Sequence, residues 1–350
     1  MPGPKLADLV LEGGGVKGVG LAGAYVALRE AGYTAANVAG TSAGAITAAF
    51  IASDFPPEEL ERIVMELDYR QFEDKAWEDK IPLIQKTTSL LLDLGIFEGE
   101  RFLVWMRELL AAQGVRTFGD LVRDPDEANP RYRYRLSVIA SDVTNRRLLI
   151  LPGDAPTLGI APDDLEVAYA VRMSMSIPIF FEPVRHQNPE TGEEHVIVDG
   201  GMLSNFPVWI FDVPGGEAPE WPTFGLLLVE PKPREHLGRR IEPPRKERGV
   251  GALIDYLKSM AQTMMAAHDR LYVEQADFAR TVPIPTLGVG TTEFALSLDR
   301  RRALFESGRS AAEEFLASWD FDAYVEEFRR GREHKRRHAV LATMGRAPVG

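Results

Sequence analysis

Residues 9–44 read LVLEGGGVKGVGLAGAYVALREAGYTAANVAGTSAG, and this stretch decides the fold. Leu9-Val10-Leu11 is a short apolar run that stops at Gly13-Gly14-Gly15, the behaviour of a strand buried on both faces. From Lys17 onward Val19, Ala22, Tyr25, Val26 and Arg29 recur at helical spacing, and Gly32 stands where a C-cap belongs. A second short strand is expected at residues 36–39, running into Gly40-Thr41-Ser42-Ala43-Gly44. Residues 43–52 then form a small-residue helix able to pack closely on a sheet. Strand, helix, strand, helix with short joints is the pattern of a parallel sheet covered by helices, so the α/β class is expected.

Working outward, 350 residues fit one large α/β unit or two average domains. With 45% hydrophobic and 26% charged residues the composition is globular rather than disordered. Acidic residues outnumber basic ones, 52 to 40, and the net charge of −12 argues against a nucleic-acid partner because such a field repels phosphate. Cysteine is absent, which excludes disulfides, thiolate metal sites and cysteine nucleophiles. The opening MPGPKLADLVLEGGG has no apolar h-region, so no secretory signal is expected. The longest uncharged stretch, between Glu30 and Asp54, is broken throughout by Gly, Thr, Ser and Asn and reads as strand, turn and helix, not as a membrane span. The expectation is a cytoplasmic protein.

Further along, Pro57 opens a helix to Leu67, residues 81–97 hold an apolar stretch, and 100–112 make another amphipathic helix. Residues 132–141 and 147–151 read as strands, 165–172 as helix, and 196–198 and 224–229 as strands. Residues 231–251 are rich in Pro, Arg and Gly and read as a loop; 252–278 and 300–319 carry long helical patterns, and the tail is basic from about Arg329.

Three glycine-bearing motifs carry chemistry. Gly13-Gly14-Gly15-Val16-Lys17-Gly18 can turn several amides into one concavity at a helix start, suited to a phosphate or an oxyanion. Gly13, Gly15 and Gly18 also match a dinucleotide fingerprint, but the expected carboxylate about twenty residues later is missing from residues 33–38. Gly40-Thr41-Ser42-Ala43-Gly44 is a G-x-S-x-G match between a strand and a helix, the context in which a serine hydroxyl projects from a sharp turn; a plain N-cap serine is the bland alternative. Asp199-Gly200-Gly201 follows the strand Val196-Ile197-Val198 and places a carboxylate at a strand end, although Asp-Gly alone is little more than a turn signal. Together they offer an oxyanion stabiliser, a nucleophile and a base for acyl transfer.

GGGVKG, GTSAG and DGG in that order, with VRMSMSIPIFFEPV before the last and DGGMLSNFPV around it, resemble the patatin-like phospholipase family over roughly residues 9–229. The resemblance implies a three-layer α/β/α fold with a mainly parallel central sheet; the helical patterns after residue 251 add the expectation of a helical C-terminal extension. With the loop and helical patterns read above, the chain is expected to divide into a catalytic core over 1–230, the loop 231–251, and a helical extension over 252–350 packed on the core, with a basic tail from about 329. The resemblance also implies lipid acyl hydrolysis, of the phospholipase A or lysophospholipase type, by a Ser–Asp dyad without histidine. By position, Ser42 would be the nucleophile and Asp199 the base, with the loop of Gly13, Gly14, Gly15, Lys17 and Gly18 as oxyanion hole. Lys17 would shape that loop. Gly40 and Gly44 would flank the elbow, and Gly200 and Gly201 would turn the chain after the acid. No metal or organic cofactor is implied.

A free aspartate is a poor base for a serine hydroxyl, so the dyad requires burial to raise the pKa of Asp199 and the start of the 43–52 helix to favour alkoxide. A histidine triad is the competing arrangement, with His236, His268, His334 and His338 all following Asp199. The dyad is favoured because the first and the last two of these histidines lie in the predicted loop and the tail, and His268 lies inside a long helix. Met173, Met175, Ile177, Ile179 and Phe180 are the expected acyl-pocket residues. The expected partner is a lipid or phospholipid, with transient contact to a membrane surface and no nucleic acid. Alternatives are a thioesterase or small-ester carboxylesterase using the same dyad, or a non-catalytic nucleotide-binding module.

Overall fold

The computed structural model describes residues 5–68, 95–97, 99–127, 129–213, 218–230 and 275–330. The predicted loop 231–251, most of the predicted helix 252–278, residues 81–94 of the apolar stretch, the four histidines following Asp199 noted above and the tail beyond 330 lie outside these residues.

The opening unit is as the sequence reads: β1 (Lys5–Leu11), α1 (Val19–Glu30), β2 (Tyr33–Thr41) and α2 (Ala43–Ala52). The second strand is longer than expected, because Tyr33 to Ala35 pair with Lys5 to Ala7 before the apolar part begins. Then come α3 (Pro57–Glu66), β3 (Gly95–Phe97), α4 (Gly99–Ala112), β4 (Leu136–Asp142), β5 (Arg147–Leu151) and α5 (Val167–Ser174). β6 (Ile179–Phe181), β7 (Val184–Gln187), β8 (Glu194–Asp199), β9 (Thr223–Val229), β10 (Thr281–Pro285), α6 (Leu298–Ser318) and α7 (Phe321–Phe328) follow.

Eight strands form one sheet in the order β10-β9-β1-β2-β4-β8-β7, with β5 also paired to β4. From β10 to β4 neighbouring strands are parallel, while β4–β8, β7–β8 and β4–β5 are antiparallel. The sheet is therefore mixed. Alternate residues of β1 serve two cores: Leu9 and Leu11 join the one built with α1, α2 and α6, and Val10 the one closed by Phe206, Val208 and Trp209.

The C-terminal segment is built into this frame. β10 extends the sheet beside β9, and α6 lies so close on α1 that a Cβ at Gly308 would sit 1.9 Å from the Gly20 carbonyl oxygen. Only glycine permits that approach. Buried Asp212 receives hydrogen bonds from Arg280 at 2.6 and 3.1 Å and from Arg329, which follows α7. Arg329, near which the basic tail is expected to begin, is itself buried in this contact.

Candidate active site

Register explains how Ser42 and Asp199 meet. Thr41 at the end of β2 lies opposite Ile139 of β4, and Ala140 lies opposite Asp199 at the end of β8. The two side chains therefore emerge at one level on either side of β4, with about two strand spacings, roughly 10 Å, between their backbones. Two short side chains leaning over β4 bridge such a gap.

The elbow is strained where it should be. Ser42 has φ 54° and ψ −124°, a region that non-glycine residues seldom occupy and that costs about 1–3 kcal/mol. Its neighbours allow the turn sterically: a Cβ on Gly40 would be 2.3 Å from the Gly44 carbonyl oxygen, and one on Gly44 would be 2.4 Å from that of Leu11. Ser42 then caps α2, whose N-terminal partial positive charge favours an anion at this point. Its own N–H donates to Ser174 Oγ at 2.9 Å, and Ser174 Oγ donates to the Ile139 carbonyl at 2.6 Å.

Asp199 is fully buried, and burial pushes its carboxyl up to about 7, opposed by interaction with the Ser42 hydroxyl and by the Gly201 N–H. Gly201 N–H donates to Oδ1 at 2.7 Å, whereas Oδ2 has no partner in good hydrogen-bond geometry. The hydroxyl therefore lies near enough to stabilise the ionised carboxylate but short of a well-aligned bond, an arrangement common before substrate binds. The Asp199 N–H is fixed by the Ser176 carbonyl at 2.9 Å, and Gly200 packs over Ile139, where a Cβ would lie 2.3 Å from the carbonyl oxygen.

The glycine loop stands beside Ser42: a Cβ on Gly13 would be 3.1 Å from the Ser42 Cβ. Three of its amides are already committed. Gly13 N–H donates to the Asn205 carbonyl at 3.1 Å, Val16 N–H to that of Thr291 at 3.2 Å and Lys17 N–H to that of Gly14 at 3.2 Å. Among the described residues, the amides of Gly14 and Gly15 have no acceptor, which narrows the oxyanion donors expected from the loop. The Lys17 side chain is buried and reaches Glu230 at 3.7 Å, away from a direct catalytic role.

Sequence reasoning missed the supports. Asn205 Nδ2 returns a bond to the Gly13 carbonyl at 3.0 Å, so both backbone groups of Gly13 are held by one residue. Buried Glu12 accepts from Asn205 Nδ2 at 3.2 Å and from the Leu228 N–H at 2.6 Å. A carboxylate ending a buried strand was the one signal available for this cluster. Of the residues expected to line an acyl pocket, Met173, Met175 and Ile177 are buried in the main core, and half-buried Ile179 has φ 77°. Phe180 is buried in the same core and packs edge-on to Phe294 at 5.9 Å between centroids. The two described histidines are otherwise engaged, His195 with Asp142 at 2.9 Å and His186 with the Leu158 carbonyl at 2.8 Å. Among the described residues no helix is long and apolar enough to cross a membrane, and no cluster of three or more His, Cys, Asp or Glu side chains is suited to a metal.

The patatin-like phospholipase family matches residues 9–212. A Bacillus subtilis (strain 168) protein, YqhO, is 38% identical over 315 residues, covering 90% of this chain and 99% of its own length. The crystal structure of VipD from Legionella pneumophila superposes with a TM-score of 0.52 at 18% identity, covering 91% of this chain and 67% of VipD, and supports the fold. With its three motifs gathered at one end of the mixed sheet, this chain belongs to the patatin-like phospholipase family and is an ester-hydrolysing enzyme.

Proposed function

We propose that the protein is a serine lipid acyl hydrolase working through Ser42 and Asp199. The observation that carries this reading is the fully buried carboxylate of Asp199, its ionised form favoured by the hydroxyl of Ser42, whose own backbone is strained at the elbow. A pKa near 7 matches a general base acting at neutral pH far better than an exposed aspartate near 3.9 does. Ser42 Oγ attacks the ester carbonyl as its proton passes to Asp199, and the carbonyl oxygen becomes an oxyanion. The amides of Gly14 and Gly15, with the N-terminus of α2, supply its donors and positive potential. The tetrahedral centre collapses, the alcohol leaves with the proton, and an acyl-serine remains. Asp199 then draws a proton from water, which attacks the acyl carbonyl, and the fatty acid departs as Ser42 Oγ recovers its proton. Substrates are acyl esters of phospholipids or related lipids, met at a membrane surface.

A fluorophosphonate probe tests this directly. It should attach covalently to Ser42, and both Ser42→Ala and Asp199→Asn should lose labelling and ester hydrolysis while His268→Ala keeps both. Hydrolysis surviving in Ser42→Ala, or lost in His268→Ala, would overturn the dyad.

A further inference from the structure

The end of α5 touches both members of the dyad. Ser174 Oγ accepts from the Ser42 N–H at 2.9 Å, and two residues on, the Ser176 carbonyl accepts from the Asp199 N–H at 2.9 Å. Two residues span at most about 7 Å, so this short bridge limits how far the two amides can drift apart. Its shape is set at Ser176. The Ser176 hydroxyl donates to the Arg172 carbonyl at 2.7 Å, one turn back, and accepts from Arg172 Nη1. Arg172 Nη2 donates to the Glu182 carbonyl at 2.7 Å, which ties the bridge to the chain leaving β6.

Arginine is a costly choice for this place. Its side chain is buried, burial pulls its guanidinium down to about 10, and these hydrogen bonds go to a hydroxyl and a carbonyl rather than to a carboxylate. An apolar side chain of similar length would fill the space without taking a cation out of water. What such a chain lacks is a planar fork that reaches two fixed acceptors at once. The space also holds the fork in place: Gly99, the first residue of α4, packs on the guanidinium, and a Cβ there would lie 1.5 Å from Nε. We propose that Arg172 is a positioning residue for the reaction. By gripping Ser176 Oγ and the Glu182 carbonyl it fixes the bridge from Ser174 to Ser176, and through it the separation of Ser42 and Asp199. The inference rests on the reading of these two as nucleophile and base.

The test separates geometry from folding by counting competent sites. Fluorophosphonate labelling run to its end point gives the concentration of reactive Ser42, and kcat for a p-nitrophenyl ester is expressed per labelled site. Misplacing reacting groups by about 1 Å costs about a hundredfold in rate. Arg172→Met and Ser176→Ala should each lower kcat per site by about tenfold to a hundredfold, with KM held within about twofold. The double variant should be no slower than the worse single, because both changes break one contact. Gly99→Ala, which pushes the guanidinium aside from outside the bridge, should slow turnover in the same way. Should Arg172→Met fail to fold, Ser176→Ala and Gly99→Ala carry the test. A merely structural role would reduce the number of labelled sites and leave kcat per site unchanged. That result, a rise in KM alone, or single effects that multiply in the double variant would overturn the proposal. Hydrolysis persisting in Ser42→Ala would instead overturn the nucleophile, so the two failures are distinguishable.

Discussion

Asp199→Asn should abolish catalysis and yet make the protein more stable at alkaline pH. The native carboxyl titrates at about 7 because burial disfavours its charge, against 3.8 in the unfolded chain. With the folded pKa raised, the native state holds its proton more tightly. Stability from this group is complete below pH 3.8 and declines as pH rises toward 7. A difference of about three pKa units is worth about 4 kcal/mol at pH 8. Asparagine keeps the shape and can still accept from the Gly201 N–H, but cannot ionise. For 350 residues at roughly 2.1 cal/mol/K each, 4 kcal/mol corresponds to a Tm rise of about 5 °C. Calorimetry or denaturant melts of wild type and variant at pH 5 and pH 8 would measure it, with the gap widening at the higher pH. A variant no more stable than wild type at pH 8, or a gap independent of pH, would refute a buried, strained carboxylate at this position.

In the wild type, kcat/KM for a soluble ester should rise with pH through a midpoint near 7, since only the ionised Asp199 accepts the serine proton; a rate profile with its midpoint near 4 would contradict this. Ser174→Ala should leave the Ser42 N–H without its acceptor and cost about 1–3 kcal/mol in a denaturant melt. Fluorophosphonate labelling should slow in the same variant as the elbow loses its tether. Asp212→Ala, which takes the carboxylate from buried Arg329 and leaves buried Arg280 with Asp277 as its remaining carboxylate, should cost about 3–5 kcal/mol by the same measurement. To ask whether the tail contributes to vesicle binding, truncation should follow Arg330 and not Phe328, because removing Arg329 damages this buried network.

The parts of the site that were legible in the sequence are those where chemistry and backbone requirement coincide within a few residues. Gly40 and Gly44 bracket Ser42 because their Cβ positions collide with backbone, and that necessity is local. Ser174, Asn205 and Glu12 act through bonds to residues 132, 192 and 193 positions away, so no window of sequence displays them. Their partners depend on strand register. β10 escaped notice for a different reason: Pro283 and Pro285 argue against a strand, yet proline is tolerated at a sheet edge, which is where β10 lies. The methionines near Asp199 were read as pocket residues by proximity in sequence, and burial of Met173 and Met175 in the main core is a packing outcome that no local window displays.

The position of β10 bears on how this protein could be divided. A fragment ending at residue 230 would keep Ser42, Asp199 and the whole family-matched stretch, and would look self-sufficient on paper. It would also uncover the β9 edge, whose sequence TFGLLLV offers unpaired amides and carbonyls along an apolar run that invites addition of another chain. Such a piece should be recovered as insoluble aggregate, so the C-terminal strand serves as the molecule's guard against self-association as well as part of its architecture.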